Sequence, residues 1–416
     1  MTGKTLFQSF YQAGFECSTQ LLRDGRRLDM VAATRHDQFV EQDYRRLKRV
    51  GIRTAREGLR WHLIETSPGC YDFSSVRPML RAARQHGIQL IWDVFHYGWP
   101  EFYDIFSKQW IDAFGDLARQ FAKVVREETE DTPFIAPVNE ISFTSWAGGD
   151  VQYLNPFKTG RGHELKRQLV GAAIRASEVL LTELPDVRLV SPEPVIHIAG
   201  DPTRPDDMRH AEEYRVSMFE AWDMLAGRAH PELGGQERYL DVIGANFYER
   251  NQWWNFGQTI YRNEPAYRPF REILQEVYAR YQRPLFVSET GTENDDRPAW
   301  FAYIATEVRA AVDLGVPLQG LCLYPILNHP GWDDERHCFN GLWDYADPAG
   351  AREIYKPLAD ELARQREIER TFYGYPTASC ESPRPDLSVA PPLELRIPAT
   401  PTPDEPIRQE SPSILR

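Results

Sequence analysis

The sequence predicts an α/β protein, a single closed (β/α)8 TIM barrel over residues 1–374 followed by a disordered, Pro-rich tail over 375–416. Three observations lead there. Eight short apolar segments rich in β-branched and aromatic residues recur with starts about 35 to 55 residues apart, and most of the intervening stretches read as helical. The junctions repeat a pattern in which a helix closes on Gly and a branched apolar residue opens the next strand: Arg49-Val-Gly-Ile, Gln85-His-Gly-Ile and Asp313-Leu-Gly-Val. Parallel neighbours need a crossover, which a helix supplies, and no Gly-x-Gly-x-x-Gly follows the first strand to favour an open, doubly wound sheet.

Taken in order, the predicted strands are Ala13–Cys17, Ile52–Glu57, Ile88–His96, Phe134–Val138, Val187–Val195, Val242–Tyr248, Leu285–Ser288 and Leu318–Pro325. After the first, Asp37 is the expected N-cap of a helix carrying Val40, Tyr44 and Leu47 at helical spacing up to Gly51. Ser74 or Ser75 is the expected cap of a second helix, with Val76, Leu80 and Ala83 on one face and Gly87 as its stop. Further helices are expected over Trp110–Glu127, His163–Leu184 and Trp300–Leu314. Beyond Tyr375, ten of the 31 prolines fall within the last 42 residues among many Ser, Thr, Glu and Asp, a composition expected to stay disordered or extended.

Composition narrows the function. With 61 acidic and 48 basic residues, a net charge of −13 and no block of like charge, the surface is a solvated acidic one that does not fit a nucleic-acid partner. The five cysteines are scattered without Cys-x-x-Cys spacing, so neither a disulfide framework nor a zinc site is expected. Met1–Gln20 lacks a hydrophobic signal region and no apolar run is long enough to span a bilayer, so a cytoplasmic protein is expected.

In a barrel of this kind chemistry sits at the C-terminal ends of the strands, and there the polar residues gather. They are Glu16 and Gln20, Arg56, His96, Asn139 with Glu140, Glu193, Asn246 with Tyr248, Glu289, and Tyr324 with Asn328. An apolar strand should not end on an unpaired carboxylate, yet Phe134–Val138 runs into Asn139-Glu140 and Leu285–Ser288 into Glu289. Two carboxylates from different strands are the minimal equipment for glycoside hydrolysis. The apolar context of Glu140 suits the proton donor, while Arg56 and Tyr248 near Glu289 would keep that carboxylate ionised and oriented. Asn139 is placed to bond a sugar hydroxyl, and Trp99, Trp253, Trp254 and Trp332 are candidates for stacking on a sugar face.

Asn139-Glu140, Ser288-Glu289-Thr-Gly, an Arg two strands before the first and a Tyr one strand before the second resemble the clan A glycoside hydrolases. Gly14-Phe-Glu at the first strand, Phe95-His-Tyr-Gly-Trp-Pro100 and Gly341-Leu-Trp-Asp344 make the resemblance to family 1, the β-glucosidase and β-galactosidase group, closer than to the others. The likeness spans roughly residues 10 to 370 and is patchy between motifs. It implies a barrel hydrolysing O-glycosyl bonds with retention and without a cofactor or metal. Glu140 is then the acid/base, Glu289 the nucleophile, Tyr248 and Arg56 partners of the nucleophile, and His96, Asn139 and Gln20 sugar contacts. Asn246, Tyr324 and Trp332 complete the expected substrate-binding set.

Three departures stand out. Ile141 follows the acid/base where the family has Pro, Tyr324 closes the last strand where it has Trp, and Gly331-Trp332 stands where it has Glu-Trp, with Asp333 and Asp334 shifted along. A small carbohydrate or glycoside is the expected partner; which sugar, and the oligomeric state, stay open. Two other readings remain: a barrel that binds a glycan without cleaving it, and a metal-dependent enzyme in which His96, Glu140, Glu289 and His329 converge on a divalent ion.

Overall fold

The computed structural model describes residues 5–373, and the expected disordered tail lies outside them. Eight parallel strands close into a barrel, each hydrogen-bonded to its sequence neighbours and the first to the last. They are β1 (Tyr11–Gly14), β2 (Thr54–Gly58), β3 (Gln89–Phe95), β4 (Phe134–Val138), β5 (Arg188–Pro194), β6 (Val242–Asn246), β7 (Leu285–Thr290) and β8 (Leu318–Leu323). β4 matches the range expected from sequence; β6 and β8 stop earlier, and β7 runs further, through Glu289 itself.

The crossover helices include α1 (His36–Arg49), α2 (Arg77–His86), α3 (Lys108–Glu128), α4 (Gly162–Glu183), α5 (Phe270–Tyr281), α6 (Arg297–Asp313) and α7 (Lys356–Tyr373). Two expected caps differ. Asp37 lies inside the first turn of α1, whose N-cap is Arg35 in the left-handed region, and its carboxylate is drawn instead to Arg60 at 3.0 Å. Neither Ser74 nor Ser75 caps α2: the N-cap is Val76, and the Ser74 amide is taken by Asp72 at 2.8 Å in a turn of its own. Gly87 does end α2, with φ +62 and its N–H returned to the last turn.

Strand alternation builds two layers of core. Outward-facing residues such as Ala55, Trp92 and Ile135 pack against the helices in the main cluster. Inside the barrel, Phe7, Ile91, Phe134, Ala136, Val190, Val242 and Phe286 fill the lower part, so the interior is a plug rather than a channel. The polar residues of the same inward faces are left to the upper end. On β2 the alternation is explicit: Arg56 reaches across the axis, while Glu57 turns outward to bond His36 and Tyr44 of α1 at 2.9 Å each.

Candidate active site

The upper end of the barrel is organised by Arg56, which is 1% exposed. Its guanidinium donates to Asp93 of β3 at 2.6 and 3.3 Å and to Asn139 Oδ1 after β4 at 2.8 Å. On β7 it donates to the Ser288 carbonyl at 3.0 Å and to Glu289 Oε1 at 2.9 Å. Such a flat, five-donor group can be satisfied by this many acceptors only when they lie in its plane, so it fixes the three neighbouring strand ends relative to one another.

The two carboxyls of interest receive different partners. Glu289 accepts from Arg56 on one oxygen and from the Tyr248 hydroxyl on the other, at 2.8 Å. Glu140 accepts only from neutral donors, Asn246 Nδ2 at 2.9 Å and the Tyr97 hydroxyl at 2.5 Å. Asn246, paired in register with Glu289, also takes the Ser288 hydroxyl on its Oδ1 at 2.5 Å and so spans both sides. Burial first, and then the charge of Glu289, push the Glu140 pKa up to about 8. Burial raises Glu289 too, but there the charges of Arg56 and His96 and the Tyr248 bond oppose it. Of the pair, Glu140 is the one that keeps a proton near neutral pH.

Two residues at the strand ends hold left-handed backbone, Tyr97 at φ +68 and Glu140 at φ +48. Non-glycine residues there cost about 1–3 kcal/mol, a strain that persists only when the surroundings over-determine it. They do: the Glu140 amide donates to the Pro192 carbonyl at 3.0 Å, its carbonyl takes the Thr144 amide at 2.9 Å, and its side chain meets that of Tyr97. Behind it Glu193 accepts the Ser142 amide at 3.0 Å, anchoring the start of the Ile141–Gly149 helix, with its own pKa raised by burial to about 7.

His96 lies within 2.9 Å of Asp93 through Nδ1 and 3.3 Å of the Asn139 side-chain amide through Nε2; burial works against its charge, but the Cys17 sulfur and the Asp93 carboxylate beside it hold its pKa well above the ordinary imidazole value. Its plane is parallel to Tyr324, whose ring also sits under Arg56 at 5.3 Å. A Cβ on Gly14 would lie 2.0 Å from the Tyr324 ring, so only Gly at that position lets β1 pass so close. Gln20 is 1% exposed, and both amide atoms lack a hydrogen-bond partner among the described residues.

Beside the pair opens a cleft of about 390 Å³, lined by Glu16, Tyr248, Tyr324, Trp332 and the hairpin after β8, while Glu140 and Glu289 are 5% and 4% exposed. Trp332 packs edge-on against Tyr97, with ring centres 5.7 Å apart. The hairpin is tied to the walls by Arg336 to Glu293 at 2.6 and 2.7 Å and by the Tyr153 hydroxyl to Asp333 at 3.2 Å.

Arg56, His96, Asn139, Glu140, Asn246, Tyr248 and Glu289 thus form one hydrogen-bonded network, with Tyr324 stacked on it. Other expected residues fall elsewhere. Trp99 is core, packed on Phe95 and Trp110, because its indole is taken by the Tyr103 carbonyl at 3.0 Å. Trp253 and Trp254 belong to a separate two-stranded sheet, Trp254 stacking on Phe256. The proposed metal ligands do not converge: both ring nitrogens of His329 are engaged, with the Pro330 carbonyl at 2.8 Å and Asn340 at 2.9 Å. Sequence reading missed Tyr97 and Asp93. Asp93 carried a signal, since it falls on the inward face two residues after Ile91; Tyr97 carried none, because its left-handed backbone is what turns it to Glu140.

No protein-family model matches the chain, and no curated protein matches it in sequence. Solved structures do match in fold. A β-glucosidase from Thermotoga maritima in complex with glucoimidazole superposes with a TM-score of 0.70 at 14% identity, covering 88% of this chain and 99% of that one. A family 1 β-glucosidase from the same organism, in complex with isofagomine lactam, gives 0.69 at 14% identity over 87% and 99%. The AHE enzyme from Alicyclobacillus herbarius gives 0.70 at 15% identity over 88% and 100%. The fold is therefore that of the family 1 β-glucosidases, carried by a strongly divergent sequence. No helix among the described residues is long and apolar enough to cross a membrane.

The raised pKa of Glu140 has a consequence for stability. A carboxyl that binds its proton more tightly folded than unfolded favours the folded state most below its ordinary value of 4.5, and that advantage is lost as pH rises towards about 8. Glu140→Gln, neutral at every pH, is expected to gain stability over the wild type across that window, by at least about 1 kcal/mol, or most of one pKa unit. Denaturant titrations from acid to mildly alkaline pH check this; a gap that does not change with pH contradicts it.

Proposed function

We propose that this chain is a retaining O-glycoside hydrolase of the β-glycosidase type, with Glu140 as acid/base and Glu289 as nucleophile. The observation that carries the reading is the unequal treatment of two buried carboxyls at the mouth of one barrel. Glu140 has only neutral donors and a pKa pushed up to about 8, and Glu289 is held by a guanidinium and a phenol. Those are the states the chemistry requires.

In the first step Glu140 gives its proton to the glycosidic oxygen as Glu289 attacks the anomeric carbon, releasing the aglycone and forming a glycosyl ester. In the second, Glu140, now ionised, takes a proton from a water that attacks the same carbon, and Glu289 leaves. Arg56 and Tyr248 hold the attacking oxygens in place, and Tyr97 and Asn246 orient the acid. His96, Asn139 and Gln20 are the sugar contacts in this reading, the unpartnered amide of Gln20 being completed by sugar hydroxyls. Buried thiols at Cys17 and Cys322, free among the described residues, fit the expected cytoplasmic setting.

Turnover of a panel of aryl α- and β-glycosides, pyranose and furanose, is expected for the wild type and is expected to fall at least about a thousandfold in Glu289→Gln. Wild-type silence across the panel contradicts the reading and favours a barrel that binds glycans without cleaving them.

The basic limb of kcat/KM against pH is expected at about 8, where Glu140 loses its proton. The Tyr97 bond holds that pKa down, so Tyr97→Phe moves the limb to higher pH. A limb that stays in place or moves down removes Glu140 from the role of acid.

A further inference from the structure

Glu16, directly after β1, is 7% exposed and lines the cleft beside Tyr248 and Tyr324. Its Oε1 accepts both from the Ser18 amide at 3.0 Å and from the Ser18 hydroxyl at 2.5 Å. Among the described residues, Oε2 takes no hydrogen bond and neither oxygen meets a cation. Neighbouring carboxylates are treated otherwise: Asp93 has both oxygens on Arg56, and Glu289 has Arg56 and Tyr248. A carboxylate more than nine-tenths buried, half satisfied, with its open oxygen on a cleft, is costly to keep unless a ligand completes it.

The surrounding charge says what kind of ligand. The same cleft wall carries Glu249, Glu293, Asp296, Asp333 and Asp334 against two cations, Arg250 and Arg336, and the Arg336 guanidinium is already spent on Glu293, so carboxylates outnumber cations around the open oxygen. The carboxylate that the family 1 pattern would place in the loop after β8 is absent, with Gly331-Trp332 in its place. A neutral hydroxyl would satisfy the open oxygen but leave the charge of Glu16 uncompensated beside that of Glu289. An ammonium satisfies both.

We infer that Glu16 is a specificity-determining residue that contacts the sugar through Oε2, and that the sugar bears a free, cationic amino group. The inference takes its sugar from the glycosidase reading and adds the charge. It also fits the chemistry, because a carboxylate set against the ammonium keeps that cation from opposing the positive charge that develops at the anomeric carbon.

The test is calorimetric binding of amino sugars with the amine at different ring positions, each beside its parent hexose and its N-acetyl derivative. Wild type and Glu16→Gln are compared at about pH 6, below the pKa of such an amine. At least one amino sugar is expected to bind the wild type about tenfold tighter than its parent, a preference lost on N-acetylation and in Glu16→Gln. Equal or weaker binding of every amino sugar by the wild type overturns the inference whether or not the variant folds, as does a preference that survives in a folded Glu16→Gln. Because binding is measured without turnover, this result stands or falls separately from hydrolysis of the aryl glycosides.

Discussion

The buried guanidinium of Arg56 is the interaction on which the mouth of this barrel depends. It draws Asp93, Asn139, Ser288 and Glu289 from three other strands around one flat cation. Removing it would break the ion pairs to two buried carboxylates, Asp93 and Glu289, a loss on the order of 3–5 kcal/mol for a single broken pair. The arrangement is expensive compared with an apolar plug, and an apolar plug is what fills the lower half of the same barrel. The contrast between the two halves follows from strand alternation: one inward face per strand, apolar below and polar above.

From that cation the asymmetry of the two carboxyls follows. Glu289 lies within the reach of Arg56 and is opposed in its tendency to protonate; Glu140 lies beyond it, is met by Tyr97 and Asn246, and feels the charge of Glu289. Burial acts on both alike, so the difference is made by the partners. The left-handed backbone at Tyr97 and Glu140 points the same way, since strain of this sort is kept where side chains must be aimed at one another.

Much of this was legible in the chain. The strands were readable because each is a short, branched apolar run closed by punctuation, and Phe134–Val138 matched residue for residue. The polar strand ends were readable because an apolar run that stops on Glu is conspicuous. The helix caps were not, since Asp37 and Ser74 had competing partners in Arg60 and Asp72 that only tertiary structure brings near. Tyr97 was hidden because its role depends on a backbone twist after the strand, and Trp99 misled because an indole in a loop motif looks the same whether it faces sugar or core. Glu16 stood among the polar strand ends, but its half-satisfied state appears only when the partners can be counted.

The central claim is that Glu289 becomes covalently joined to a sugar while Glu140 manages the proton. The measurement that reaches it most directly is mass spectrometry of the intact protein and its peptides after incubation with 2-deoxy-2-fluoro glycosides carrying a good leaving group, across the sugars whose aryl glycosides the protein is found to cleave. The account predicts a mass gain of one fluoro-sugar per chain, located on Glu289. A label on another residue, or none from sugars that are demonstrably hydrolysed, would contradict it.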